Sequence, residues 1–157
     1  MNDKDDMPYT SAVLLESLRV GSLVYMGVPH HALEDVKIGA YTIPRGATVM
    51  SSLYHAMHDP KLFKNPDMFD PTRFINENGK FVNNENVIPF GVGKRYCLGQ
   101  SLAEKEFFIF FTGILQQFEI RHVPGTVLPS YIDINPKQAL VRNAPPYQVI
   151  LKKRSLS

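Results

Sequence analysis

The architecture of this chain is set by ten consecutive residues, Phe90-Gly91-Val92-Gly93-Lys94-Arg95-Tyr96-Cys97-Leu98-Gly99. They include three glycines and the only cysteine among the 157 residues, and a helix-like run over 100–117 follows them. The N-terminus of a helix offers unpaired backbone N–H groups and the positive end of the helix dipole, both of which favour a thiolate over a thiol. A thiolate in this position serves either as a nucleophile or as a metal ligand.

Length and composition describe one ordinary globular unit. The chain has 44% hydrophobic and 20% charged residues and a formal net charge of +2, and its length suits a single domain, residues 1–157, without a second one. The basic run 152–154 is too short for a nucleic-acid partner. A single cysteine rules out an internal disulfide and fits a reducing compartment. The longest apolar run, Phe107–Phe111, has five residues, far fewer than the roughly 20 of a membrane span, so we expect no membrane anchor in this chain.

The first half of the sequence predicts short helices and hairpins followed by a long irregular segment. A hairpin with a type II′-like turn is indicated at Gly39-Ala40, and the prolines and asparagines of residues 59–89 are typical of irregular structure. The predicted elements are a helix over Ser11–Val20 with Thr10 as N-cap, strands over Val36–Ile38 and Tyr41–Ile43, a strand over Thr48–Leu53 and a short helix over Tyr54–His58.

After the ten-residue stretch the sequence predicts a long helix over about Leu98–Phe118 and then two pairing strands, Glu119–His122 and Tyr147–Leu151. The helix contains Phe107–Phe111, whose consecutive apolar side chains cover every side of it. A helix that is apolar all round is buried on all sides. Little else in the chain could cover it, so we expect the chain to be part of something larger.

Three motifs in order give the chain a resemblance to a known family. Phe90-x-x-Gly93-x-Arg95-x-Cys97-x-Gly99 matches the haem-binding signature of the cytochrome P450 superfamily. Glu16-Ser17-Leu18-Arg19 matches its Glu-x-x-Arg helix, and Pro71-Thr72-Arg73-Phe74 matches its Pro-x-Arg-Phe element. The chain resembles the C-terminal third of a member, closest to the animal microsomal branch. The implied fold is α+β, mainly α: the Glu-x-x-Arg helix, small β-hairpins, an irregular meander, the Cys-ligand loop and a long proximal helix.

The resemblance implies haem as the cofactor and the Cys97 thiolate as the axial ligand of its iron. A buried, inert cysteine is the ordinary alternative, but three glycines on a loop before a helix are difficult to justify for inert packing. A nucleophilic cysteine would need an ordered base, and the sequence offers no His/Asn or His/Asp partner for one. The haem-contacting positions implied by the family are Phe90, Gly93, Arg95, Cys97, Gly99, Ala103 and His30, of which Arg95 and His30 meet the propionates.

Other residues carry supporting roles by the same resemblance. Glu16, Arg19 and Arg73 are expected to form a buried charge network that is structural and positions the cysteine loop. The substrate pocket is expected to include Val28, Leu140 and Val141, and Lys94 is expected to face a redox partner. His30 and His31 are adjacent on an extended segment and point to opposite faces, so they are not expected to chelate a metal together.

For the intact enzyme, the resemblance implies insertion of one oxygen atom of O₂ into a lipophilic small molecule. Its partners would be an NADPH-dependent flavoprotein reductase and, as a second electron donor, cytochrome b5, and its location the cytosolic face of the endoplasmic reticulum membrane. The family's long distal helix, which carries the proton-delivering acid/alcohol pair, has no counterpart here, so we expect no catalytic residue in this chain. The alternative is a truncated haem-thiolate fragment or isoform with no activity of its own.

Overall fold

The computed structural model describes residues 4–130 and 141–155. These residues form three α-helices and three small antiparallel sheets of two strands each. The helices are α1 (Pro8–Gly21), α2 (Leu53–Met57) and α3 (Gln100–Gln117). The strands are β1 (His30–His31), β2 (Val36–Ile38), β3 (Tyr41–Ile43), β4 (Thr48–Val49), β5 (Phe118–His122) and β6 (Val149–Lys153). Strand β1 pairs with β4, β2 pairs with β3, and β5 pairs with β6. The predicted mixture of helices and small sheets is confirmed.

Helix α1 begins earlier than the sequence predicts. Its first residue is Pro8, and Met7 occupies the N-cap position without a side-chain hydrogen bond. Proline suits the first helical position because its fixed φ is helical and its missing N–H has no partner to lose there. Thr10 therefore lies inside the helix, and its prediction as N-cap was wrong. The helix ends at Gly21, and the C-cap residue Ser22 has a left-handed backbone (φ 39°) and donates its N–H to the Leu18 carbonyl at 3.1 Å.

The core of the first half is a small cluster beneath α1. Ala12 packs with Phe63 and Phe74, all three buried. Phe74 lies on the 3₁₀ turn Pro71–Phe74, in which Asp70 Oδ1 accepts a hydrogen bond from the Thr72 N–H at 3.0 Å. The aspartate stabilises the turn because it satisfies a backbone donor, and the packing of Phe74 with Ala12 anchors the otherwise irregular meander to α1.

The β2–β3 hairpin follows its predicted bounds and turn. Val36 pairs with Ile43 and Ile38 with Tyr41, and Gly39 has a φ of +60°, as the first central position of a type II′ turn requires. The predicted strand over Thr48–Leu53 is wrong beyond Val49, because Ser52 becomes the N-cap of α2 and its side chain accepts from the His55 N–H.

Helix α3 leads directly into the β5–β6 ribbon, and the predicted pairing of these two strands is confirmed. The second strand begins and ends two residues later than predicted, at Val149 and Lys153 in place of Tyr147 and Leu151. Phe118 pairs with Lys153 and His122 with Val149. Of the residues of α3, only Phe108 is buried, whereas Ile109 is 54% and Phe110 66% exposed. The described chain thus leaves an apolar helix largely uncovered. Within residues 4–130 and 141–155, no helix has the length and hydropathy to cross a membrane.

Candidate functional site

The loop before α3 is shaped by two glycines and by hydrogen bonds within itself. Gly91 and Gly93 have φ values of +75° and +73°, a region that residues with a Cβ rarely adopt. The Cys97 N–H donates to the Phe90 carbonyl at 2.9 Å, and the Tyr96 N–H donates to the Gly93 carbonyl at 3.2 Å. A Cβ on Gly93 would meet open space, so backbone conformation and not crowding is the reason for glycine there. The loop holds Cys97 beside Phe90.

Cys97 lies immediately before the first turn of α3. The Gln100 N–H donates to the Cys97 carbonyl at 3.2 Å, and the Ala103 N–H donates to the Gly99 carbonyl at 2.9 Å. Gly99 is the N-cap, and a Cβ placed on it would lie 3.7 Å from Cys97 Sγ, in van der Waals contact. Cys97 is exposed. Glycine at position 99 therefore keeps one side of an accessible sulfur uncovered.

The cysteine opens into a concavity of about 1060 Å³, at the upper end of the roughly 300–1,000 Å³ typical of small-molecule and cofactor sites. Seven of the residues predicted as functional line it: Val28, His30, Phe90, Lys94, Arg95, Cys97 and Ala103. Gly93, Gly99 and Val141 do not line it, and Leu140 lies outside the described residues. The loop, β1 and the first turns of α3 thus meet at one surface.

The lining suits a flat, mostly apolar, anionic cofactor such as haem. Its walls include Leu23, Val24 and Ile88, its one sulfur is Cys97, and the lining includes the cationic side chains of Lys94 and Arg95. A single thiol is a sufficient protein ligand for haem iron. Among the residues that the structure describes, no group of three or more His, Cys, Asp or Glu side chains is arranged to hold a metal ion. The apolar walls, the thiol and the cationic side chains of this lining fit haem.

His30 and His31 separate as adjacent strand residues should. His30 lines the concavity, whereas the His31 ring lies 3.3 Å from Thr48 Oγ1. The remaining histidines have local partners. His55 contacts Ser52, His58 contacts the Tyr54 carbonyl, and His122 contacts Thr126.

The three charges of the predicted network meet in the interior. Arg19 Nε and Nη2 donate to Glu16 Oε2 and Oε1 at 2.7 and 2.8 Å, and both side chains are 0% exposed. Arg73 Nε donates to Glu16 Oε1 at 3.1 Å. The Asp70 N–H adds a further bond to Glu16 Oε1 at 2.9 Å, and Arg19 Nη1 donates to the Met57 carbonyl at 2.9 Å. A bidentate Arg–carboxylate pair with its remaining groups satisfied is the stable form of a buried ion pair.

The network joins α1, α2 and the meander rather than bonding to the cysteine loop itself. Its described bonds run from Glu16 and Arg19 to residues 57, 68, 70 and 73. The other side of α1 faces the concavity through Ser17, Leu18 and Gly21. One helix therefore carries the charge network on one face and part of the site wall on the other.

Sequence reasoning missed Arg142, which also lines the concavity and is only 8% exposed. Its guanidinium lies over the Tyr54 ring, with 5.1 Å from Cζ to the ring centroid. Tyr54 in turn stacks between Tyr25 (4.8 Å) and His58 (4.0 Å). Burial raises the pKa of Tyr54 and lowers the pKa of His58 from their ordinary values. No local pattern distinguishes Arg142 in the sequence, because its contacts with Tyr54, Val20 and Gly21 are all distant in sequence.

Comparison with known proteins places this geometry in context. The family model "Cytochrome P450" matches residues 1–151. The chain is 43% identical over 150 residues to cytochrome P450 2B4 of Oryctolagus cuniculus, and the matched region covers 95% of this chain and 30% of that protein. It is 42% identical over 154 residues to farnesoate epoxidase of Bombyx mori, which covers 98% of this chain and 30% of that enzyme. The chain thus spans less than a third of the length of these relatives.

Proposed function

The chain belongs to the cytochrome P450 family and is similar to its animal microsomal members, and from this premise we propose that residues 1–157 form the proximal, C-terminal part of a haem-thiolate monooxygenase domain. The observation that carries the proposal is the single concavity that gathers Cys97, His30, Arg95 and Ala103. The loop contributes Arg95 and Cys97, β1 contributes His30 and α3 contributes Ala103 to one largely apolar space, and this arrangement supports the binding of a mostly apolar, anionic cofactor there.

Each residue of the site has a role that follows from its chemistry. Cys97 would ligate the iron through its thiolate, and Arg95 and His30 would pair with the propionates. Phe90, whose carbonyl accepts the Cys97 N–H, would shield the sulfur from water and from stray hydrogen bonds. Gly93 shapes the loop, Ala103 would offer a small surface to a flat ring, and Gly99, where a Cβ would contact Cys97 Sγ, would leave room for the ring to approach the sulfur. When bound, thiolate-ligated haem supplies the activation of dioxygen.

Substrate and partners belong to the intact enzyme. A lipophilic small molecule would contact the apolar wall that Val28 forms with Leu23 and Val24, since apolar side chains make up most of a small-molecule site. Leu140 and Val141 are further substrate contacts that the family resemblance implies. Lys94 is exposed at the same loop and would meet an acidic NADPH-dependent flavoprotein reductase, or cytochrome b5. The intact family member would act at the cytosolic face of the endoplasmic reticulum membrane.

A second candidate function is a haem-thiolate fragment or isoform without activity of its own. The exposed apolar face of α3, with Ile109 and Phe110 more than half exposed, favours it for the 157 residues alone. This face would be covered by the rest of the family fold in an intact enzyme. Oxygenation of a substrate by the 157 residues alone, with NADPH and reductase, would contradict this candidate.

The monooxygenase proposal is tested by turnover of a polypeptide that joins this sequence to the rest of the family fold. With NADPH, a reductase and a panel of lipophilic compounds, the wild-type protein should incorporate one atom of ¹⁸O₂ into product. Cys97→Ser should abolish incorporation because a hydroxyl is a poor iron ligand. Ser101→Ala, at an exposed position four residues later, should keep it. Equal turnover by Cys97→Ser and Ser101→Ala would rule out a role for the sulfur.

A further inference from the structure

We propose that Arg142 is a positioning residue that clamps the C-terminal segment against α1 and α2 and so sets the shape of the substrate end of the concavity. The inference rests on the proposed function, which makes this space a cofactor and substrate site. It starts from an unusual placement: an arginine that lines an apolar concavity while it is 8% exposed. Buried arginines are rare unless their donors are used.

The side chain of Arg142 binds the end of α1. Its Nη1 donates to the Val20 carbonyl at 3.3 Å and to the Gly21 carbonyl at 3.2 Å. These carbonyls belong to the last turn of a helix, where they lack helical partners and carry the negative end of the dipole. A cation at this position is therefore bound by both hydrogen bonds and charge.

The other contacts of Arg142 reach two more segments. The guanidinium covers the Tyr54 ring of α2, a cation–π arrangement that strengthens when it is desolvated. The backbone N–H of Arg142 donates to the Leu23 carbonyl at 2.7 Å, and Val141 forms an antiparallel bridge with Val24. One residue thus connects the end of α1, the segment after it and α2.

These three segments and the C-terminal segment all form walls of the concavity, the end of α1 through Gly21. Leu23 and Val24 line it after α1, Leu53 lines it from α2, and Ala144 lines it from the C-terminal segment. The separation of these walls determines which apolar ligand fits. Because the walls come from segments that are distant in sequence, their separation depends on a residue that contacts all of them, as Arg142 does. Lysine is a poor substitute, since only a planar guanidinium can both stack on a ring and reach the carbonyls.

Hydrogen exchange on the 157-residue chain tests the clamp without any cofactor. In Arg142→Met, which keeps the length but not the donors, the backbone amide of residue 142 should exchange at least about tenfold faster, because loss of a charged hydrogen bond lowers the cost of local opening. Amides of the β5–β6 ribbon should be unchanged. Arg121→Met, at an exposed arginine of β5, is the control and should leave residue 142 protected. In Arg142→Lys, the exchange rate of the residue 142 amide should lie between those of the wild type and of Arg142→Met. This variant provides the comparison if Arg142→Met does not fold.

Ligand binding to the haem-loaded intact protein tests the positioning role. Arg142→Met should raise the Kd of bulky lipophilic ligands, read from the Soret shift, about fivefold or more, with the thiolate-type spectrum unchanged. A purely structural role would weaken the spectrum and the affinity together and would overturn the inference. The inference would also be overturned if the residue 142 amide of Arg142→Met exchanged within about twofold of the wild-type rate. If the wild-type protein lacked the thiolate spectrum, the proposed function would fail, and the exchange experiment would still decide the clamp.

Discussion

At the scale of single residues, Glu16 carries more of the stability of this chain than any exposed charge. It is 0% exposed and accepts bonds from Arg19, Arg73 and the Asp70 N–H. Glu16→Gln should lower the free energy of unfolding by about 3–5 kcal/mol, because it leaves two guanidinium groups without their counter-charge in a buried place. Urea denaturation followed by circular dichroism measures the change.

Glu119→Gln provides the matched control. Glu119 also forms a bidentate ion pair, because Arg121 Nε and Nη2 donate to its two carboxylate oxygens at 2.9 Å, but both side chains are about half exposed. Water screens such a pair, so its loss should leave the urea midpoint unchanged within error. Equal effects of the two substitutions would show that burial does not matter to the Glu16 network.

The lowered pKa of His58 predicts that stability depends on pH. Burial lowers its pKa below the ordinary 6.5, and the charges of Arg19 and Arg142 act in the same direction. The unfolded chain therefore binds a proton more readily than the folded one as the pH falls below 6.5. The contribution of His58 is fully present above that pH and is lost as the pH falls through the folded pKa.

Stability curves between neutral and mildly acid pH test this effect. His58→Phe keeps a ring to stack on Tyr54 but does not titrate, so it should flatten the decline. His122→Phe, at an exposed histidine of β5, should leave the slope as it is in wild type. A slope unchanged by His58→Phe would assign the pH dependence to other groups.

At the scale of elements, the Arg154 side chain caps the C-terminus of helix α3. Its Nε donates to the Leu115 carbonyl at 2.9 Å and to the Phe118 carbonyl at 3.3 Å. Arg154→Ala should lower the free energy of unfolding by about 1 kcal/mol, because a cation is lost from the negative end of a helix. Lys152→Ala, two residues earlier on β6, is the control. If both variants unfold at the same urea concentration, the cap contributes nothing.

The elements that the sequence predicts well are those with a local physical cause. Gly39 marks the hairpin because its turn needs a positive φ. The start of α1 differs from the prediction because Pro8 begins the helix before Thr10. The end of β4 differs because Ser52 caps α2 and so interrupts the apolar pattern of residues 48–53. The cysteine loop is predictable from its motif, whereas Arg142 is not, because its partners Val20 and Gly21 are distant in sequence.

At the scale of the whole molecule, the chain has a small core and a large apolar surface. Phe108 is buried on α3, but Phe110 is 66% exposed. In the 157-residue chain, Phe110→Lys should leave the free energy of unfolding unchanged and reduce self-association, since the side chain already faces water. In the intact protein the same substitution should prevent folding by burying an unpaired charge.

Phe108→Lys is the matched control and should unfold the chain in both settings. Urea denaturation and light scattering on the two polypeptides provide the measurement. If Phe110→Lys is tolerated in the intact protein as well, the face of α3 is not an interior surface of the family fold.

The central claim is that Cys97 is the thiolate ligand of a bound haem, and one absorption measurement tests it most directly. The intact protein is loaded with haem, reduced and exposed to CO, alongside Cys97→His. The wild-type protein should show the red-shifted Soret band of thiolate ligation, and Cys97→His should bind haem through its imidazole without that band. A wild-type protein that lacks the red-shifted band, or a Cys97→His protein that keeps it, would contradict the account.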